Sequence, residues 1–154
     1  LFRSDIIFRE KKLSGIYDEK LSDHIDTLTR GFDDVFKAPI SRYCEFPVDL
    51  IREKTDIKIL ASSSETGLYL GVSKNHRQVY VSGHPEYDTL TLHDEYFRDL
   101  AAGKNPIIPV NYFFYNDPES EPVCNWRGHA SLLFYNWLNY YVYQETPYEI
   151  DSIG

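Results

Sequence analysis

The sequence predicts a mixed α/β chain, on three observations. Between residues 57 and 82, three short runs rich in Ile, Leu, Val and Tyr alternate with polar turn segments. The third run leads through Gly83-His84-Pro85-Glu86-Tyr87-Asp88 into a stretch with helical spacing. A long aromatic segment then follows a proline-rich connection.

Each element has a local reason. Residues 1–30 are mixed, and the polar run from Asp18 to Asp26 reads as a loop or a solvated face, while Gly31 to Pro39 carries turn and loop chemistry. A short helix is expected from Pro47 to Lys54, where proline at a first helical position costs nothing and Val48, Leu50 and Ile51 give a partial apolar face. The runs Ile57–Ala61, Leu68–Val72 and Val79–Ser82 are separated by Ser62–Gly67 and Lys74–Arg77, segments of hairpin length, which makes a three-strand meander. From Thr89 to Ala102 the spacing is helical, with Leu90, Phe97 and Ala101 on one face, Asp88 as the cap and Gly103 as the stop. Pro106, Pro109, Pro118 and Pro122 exclude a regular element from 104 to 124, leaving an ordered or clinging loop. Asn125 to Gln144 reads as a helix apolar around most of its circumference, hence buried or sandwiched, and Glu149 to Gly154 as a frayed tail.

Composition bounds the class. With 42% hydrophobic and 26% charged residues the chain is ordinary globular material, and a domain of this size buries roughly 68–70% of its unfolded surface. A net charge of −8 without a basic stripe disfavours nucleic acid and anionic membrane surfaces as partners. Ser131, Asn136 and Asn139 interrupt the one long apolar stretch, so no membrane span is expected. Cys44 and Cys124 match neither a disulfide framework nor a metal or redox spacing, which makes the cytoplasm the expected location. The chain has no methionine, and Leu1 is not a small residue that follows a trimmed initiator, so the sequence is expected to begin inside a longer polypeptide.

The candidate chemistry centres on His84-Pro85-Glu86, at the strand end where open α/β sheets place catalytic groups. Proline keeps His84 extended, residues i and i+2 then point the same way, and a carboxylate on one ring nitrogen raises the basicity of the other. The alternative is a turn histidine beside a glutamate that favours the helix N-terminus, and on spacing alone this is the commoner situation. Arg98, with Asp94, Glu95 and Asp99 around it, either clamps a carboxylate or makes surface ion pairs along a helix, the second being the commoner outcome. His24, His76, His93 and His129 show no ligand spacing, so no metal site is expected; His129 reads as a helix-start or core histidine. Cys44 and Cys124 read as inert rather than nucleophilic thiols.

Taken together, several segments resemble the homoserine O-acyltransferase family of methionine biosynthesis, the homoserine O-succinyltransferases or transsuccinylases. They are Lys12-Leu13-Ser14-Gly15, Arg30 to Asp34, Ala38-Pro39 with Ser41-Arg42-Tyr43, Gly83 to Asp88, Glu95 to Asp99, Asn111-Tyr112-Phe113, Asn116-Asp117-Pro118, Trp126-Arg127 with His129, Leu132 to Phe134, Asn136 to Gln144 and Thr146-Pro147-Tyr148. The resemblance implies a class I glutamine amidotransferase-like (flavodoxin-like) fold, of which this chain is the C-terminal portion of a single acyltransferase domain. It also implies a Cys-His-Glu triad and ping-pong transfer from an acyl-CoA to the hydroxyl of L-homoserine.

Carried over by matching positions, His84 is the base, Glu86 its orienting partner, Arg98 the holder of the homoserine carboxylate, and Lys12 and Ser41 substrate-site residues. The nucleophilic cysteine falls upstream of Leu1. The resemblance implies no cofactor, acyl-CoA being a co-substrate; it favours succinyl-CoA over acetyl-CoA and leaves a homodimer open. The other readings are an acetyltransferase of the same family, a non-catalytic fragment or binding module, and an amidotransferase-like hydrolase. The fragment by itself is expected to be inactive. Departures from the family pattern stand at Ile40, at Phe114-Tyr115 and at Asp18-Glu19-Lys20, which lacks the usual histidine.

Overall fold

The computed structural model describes residues 7–144. The Thr146-Pro147-Tyr148 match and the expected frayed tail lie outside the described residues. Five strands, β1 (Ile7–Leu21), β2 (Val35–Glu45), β3 (Lys58–Ser63), β4 (Gly67–Val72) and β5 (Val79–Val81), form one sheet in the order β2-β1-β3-β4-β5. Every pairing is antiparallel. Three helices accompany it, α1 (Val48–Lys54), α2 (Thr91–Ala101) and α3 (Arg127–Asn136), the last continuing into π-helical turns over Trp137–Tyr143. The mixed α/β class and the meander of β3, β4 and β5 are as expected from the sequence.

The N-terminal third is not. Of the polar run Asp18–Asp26, expected as a loop or a solvated face, residues 18–21 belong to β1, and of the turn segment Gly31–Pro39, residues 35–39 belong to β2, with Asp18 directly opposite Lys37 and the two charges 2.5 Å apart. Residues 18–21 alternate between solvent and the core, while Ser22, His24 and Ile25 are exposed in the loop that follows. Leu13, Tyr17 and Leu21 point to one side of β1 and join Phe36, Leu60, Tyr69, Leu70 and Leu133 in the main core. Ile16 points to the other side and is sealed with Leu92, Tyr112, Trp126 and Ala130. With Ile16 at 0% exposure, its burial stabilises by about 1.5–3 kcal/mol. Glu19 is buried among the core residues too.

The sheet curls until its two ends meet. β2 and β5 stand at opposite ends of the strand order. Yet the His84 amide just past β5 donates to the Pro39 carbonyl of β2 at 2.8 Å, and Arg42 Nη1 donates to the Ser82 carbonyl at 3.2 Å. The proline-rich connection clings as expected, pairing its Val110 with β1 through Ile16 N to Val110 O (2.8 Å) and Val110 N to Ser14 O (2.9 Å).

Two helices depart from expectation in which face they bury. In α2 the buried residues are Leu92 and Asp99, while Leu90, Phe97 and Ala101 are exposed, and the Asp88 side chain makes no cap. The stop is as predicted: Gly103 takes φ +70°, with Gly103 N bonding Leu100 O and Lys104 N bonding Asp99 O, the paired bonds of a Schellman end. In α3 only Ala130, Leu133 and Asn136 are buried. The expectation of a helix buried or sandwiched over residues 125–144 fails on one side, where Phe134, Tyr135, Trp137 and Tyr143 are 44%, 66%, 41% and 55% exposed.

Candidate active site

The site is built where the curled sheet closes. Gly83 sits there because nothing larger fits: an added Cβ would lie 2.6 Å from the Tyr69 ring, 2.8 Å from Ile40 Cδ1 and 2.9 Å from the Pro39 carbonyl. That close approach lets the next residue, His84, dock its amide on Pro39. The chain then turns, Tyr87 N bonding His84 O at 3.2 Å, and enters α2.

His84 and Glu86 are brought together as the spacing predicts, with Nδ1 2.9 Å from Glu86 Oε1. Glu86 is 57% exposed at its side chain and His84 34%. The imidazole lies flat against the Tyr87 ring, centroids 4.3 Å apart and planes 14° from parallel. A carboxylate on Nδ1 selects the tautomer whose Nε2 carries the lone pair, which suits Nε2 to accept a proton.

Lys12 and Ser41 also meet, through a residue whose place in the sequence marks it only as a helix-surface charge. Glu95 Oε2 accepts from Lys12 Nζ at 2.9 Å and from Ser41 Oγ at 2.5 Å, and Oε1 accepts from Tyr87 Oη at 2.8 Å. Burial works against the Glu95 carboxylate, but the bonds from Ser41, Lys12 and Tyr87 outweigh it and hold the group below the ordinary glutamate range. Burial first, then the Glu95 bond, pushes the Tyr87 phenol up, so it stays a donor. Lys12, Ser14, Tyr43, Glu95, Asp99 and Lys104 help line a cleft of about 240 Å³. Glu86 lines a larger groove of about 700 Å³ with Gly83, Val79, Val81, Phe134 and Trp137.

Arg98 stands apart. Its guanidinium, 65% exposed, bonds Asp99 of its own helix at 3.1 and 3.2 Å, the ion-pair geometry of the blander alternative. His129 sits in the first turn of α3, stacked on Phe36 and 3.1 Å from Asp33, as a helix-start histidine. Two site residues were missed in the sequence, Glu95 and Tyr87. Glu95 was visible only as one acid among several on α2. Tyr87 follows Glu86 directly, and only the turn after His84 puts its ring under the imidazole.

A histidine–carboxylate pair at a strand end, beside a cleft lined by a lysine–glutamate pair, defines a class of acid–base site suited to moving a proton off a substrate or nucleophile. The family described as homoserine O-succinyltransferase matches residues 5–148, and the chain belongs to that family. Among its relatives, the homoserine O-acetyltransferase of Succinatimonas hippei is 57% identical over 144 residues, covering 94% of this chain and 48% of that protein. The homoserine O-succinyltransferase of Tolumonas auensis is 57% identical over 145 residues, covering 94% and 46%. The chain thus spans about half the length of the curated relatives it matches. Among solved structures, a protein from Thermoplasma acidophilum assigned as a GMP synthase component is similar at a TM-score of 0.47 and 16% identity, over 56% of this chain and 41% of that one. No helix among the described residues is long and apolar enough to cross a membrane.

Proposed function

We propose that this chain carries the base half of a homoserine O-acyltransferase active site in methionine biosynthesis, the C-terminal portion of one amidotransferase-like domain. The observation that supports it best is the 2.9 Å contact of His84 Nδ1 with Glu86 at the end of β5, in a chain of this family. In this reading a cysteine thiolate, in the part of the relatives' length that the chain does not match, attacks the thioester of an acyl-CoA. The new cysteinyl thioester forms and CoA leaves as its thiol, taking the proton from the His84 imidazolium that faces the thiolate, which leaves His84 neutral for the second step. Homoserine's hydroxyl then attacks that thioester, His84 Nε2 takes the hydroxyl proton, the ester forms and the cysteine sulfur departs. Glu86 stabilises the imidazolium formed at that step. Lys12 and Ser41 line the homoserine side of the site, and Arg98 swings from Asp99 to the substrate carboxylate.

The exposed groove of Val79, Val81, Phe134 and Trp137 beside Glu86 is the face against which the nucleophile-bearing part packs. We take succinyl-CoA as the donor over acetyl-CoA, with no resident cofactor, and place the reaction in the cytoplasm. Relatives named for each donor are equally similar, 57% in both cases. Acyl transfer to homoserine by the intact protein, assayed with each CoA ester, decides the donor. His84→Ala is expected to abolish the reaction while leaving the fold intact by circular dichroism; near-normal turnover would refute the base assignment.

A further inference from the structure

We propose that Tyr87 positions the His84 imidazole, its flat ring held under the imidazole by Glu95, so that Nε2 is the nitrogen presented for proton transfer. The inference rests on His84 acting as the base. The Glu86 contact alone does not fix that ring. Glu86 is more than half exposed, and a pair this open to solvent is a weak restraint on the ring. One hydrogen bond along one edge also leaves the imidazole free to rotate out of plane about that bond.

Tyr87 supplies the missing restraint. Its ring covers one face of the imidazole at 4.3 Å and 14°, a contact that rotation would break. Tyr87 is itself a fixed plate. Its amide bonds the His84 carbonyl at 3.2 Å, its carbonyl accepts from Nε1 of the buried Trp126 at 3.2 Å, and its hydroxyl donates to Glu95 at 2.8 Å. Glu95 in turn is held by Lys12 and Ser41. The chain of contacts from Lys12 and Ser41 through Glu95 to Tyr87 therefore ends on the face of His84. The same four side chains tie the cleft residues to the orientation of the base.

The test uses the intact protein with Tyr87→Met, which keeps bulk without a flat ring, and Tyr87→Phe, which keeps the ring and loses the tether. Ring-nitrogen NMR of ¹⁵N-histidine-labelled protein reads the His84 tautomer across pH, and steady-state kinetics reads kcat and KM for homoserine. Tyr87→Met is expected to turn a dominant Nδ1–H tautomer into a mixture and to lower kcat by about tenfold, part of the roughly 10²–10⁴-fold a general base contributes, with KM within about threefold. Tyr87→Phe is expected to lose about threefold in kcat and to rescue most of the tautomer preference, because the ring contact survives the loss of the hydroxyl. A folded Tyr87→Met protein with unchanged tautomer and kcat would overturn the proposal. If that variant fails to fold, Tyr87→Leu, which also removes the flat ring, takes its place, and an unchanged tautomer ratio and kcat there overturns the proposal. The NMR readout needs no turnover, so an active His84→Ala protein, which would remove the base reading, is a distinguishable result.

Discussion

Replacing Glu19 with Gln should make the protein more stable at alkaline pH and leave it nearly unchanged at acid pH. Glu19 is 0% exposed on β1; Oε1 accepts from Thr66 Oγ1 at 2.7 Å, and Oε2 has no partner. Burial raises its carboxyl, against the lowering effects of the Thr66 bond and the Arg42 charge, from 4.5 to about 7. The sign follows from proton binding. Between those two values the folded protein holds a proton that the unfolded chain has released, so unfolding free energy falls as pH rises. The stabilisation is complete below about 4.5 and lost by about 7. At about 1.36 kcal/mol per pH unit, the gap between 4.5 and about 7 is worth about 3 kcal/mol. Glutamine mimics the protonated acid, keeps an acceptor for Thr66 and cannot ionise. Urea unfolding of both proteins at intervals from about pH 4.5 to 8.5 should show a falling curve for the parent and a flatter one for Glu19→Gln, diverging by about 3 kcal/mol. Parallel curves across that range would refute the reasoning, because they would mean Glu19 ionises in the fold as it does in water.

Gly83→Ala should cost about 1–3 kcal/mol and also lower turnover, since its Cβ meets Tyr69, Ile40 and the Pro39 carbonyl inside 3 Å and must push the His84 segment off β2. Denaturation and kinetics on the same preparation check both; a lower melting temperature with full activity would show that the Pro39 contact does not place His84. Arg98→Ala should raise KM for homoserine by about tenfold or more with kcat little changed, as expected for lost ground-state binding of a carboxylate. An equal fall in kcat with KM constant would place Arg98 in the chemical step instead.

How much was legible follows from what sets each element. β3, β4 and β5 announced themselves because their apolar runs are bounded by turn residues, a local signal. β1 hid behind Asp18-Glu19-Lys20, since a strand may carry charge on both faces when partners exist: Lys37 lies opposite Asp18, and Thr66 reaches Glu19 from the β3–β4 turn, 47 residues away. β2 hid behind Pro39, which an edge strand tolerates; the carbonyl of that same proline receives His84. The His84–Glu86 pair was readable because its geometry is fixed within three residues. The Glu95 hub joins β1, β2, the turn and α2, so its contacts, up to 83 residues apart, are set by the curl of the sheet and by no local spacing.

The aromatic segment after residue 125 is the instructive failure. Its circumference is apolar almost all round, a pattern that means burial on every side. Yet Phe134, Tyr135 and Trp137 are exposed, while Leu133 and Asn136 pin that stretch to the core, Asn136 through bonds to the Leu28 and Arg30 carbonyls at 3.0 and 2.9 Å. The pattern and the exposure are reconciled if the sequence is written for a larger fold than the described residues complete. Phe134 and Trp137 lie on the same groove as Glu86 and the edge strand β5, so in the proposed domain the part that buries these aromatics is also the part that brings a cysteine to His84. Covering the apolar face and completing the triad would then be one packing event, and the pair His84–Glu86, now partly exposed, would gain its low-dielectric setting from it.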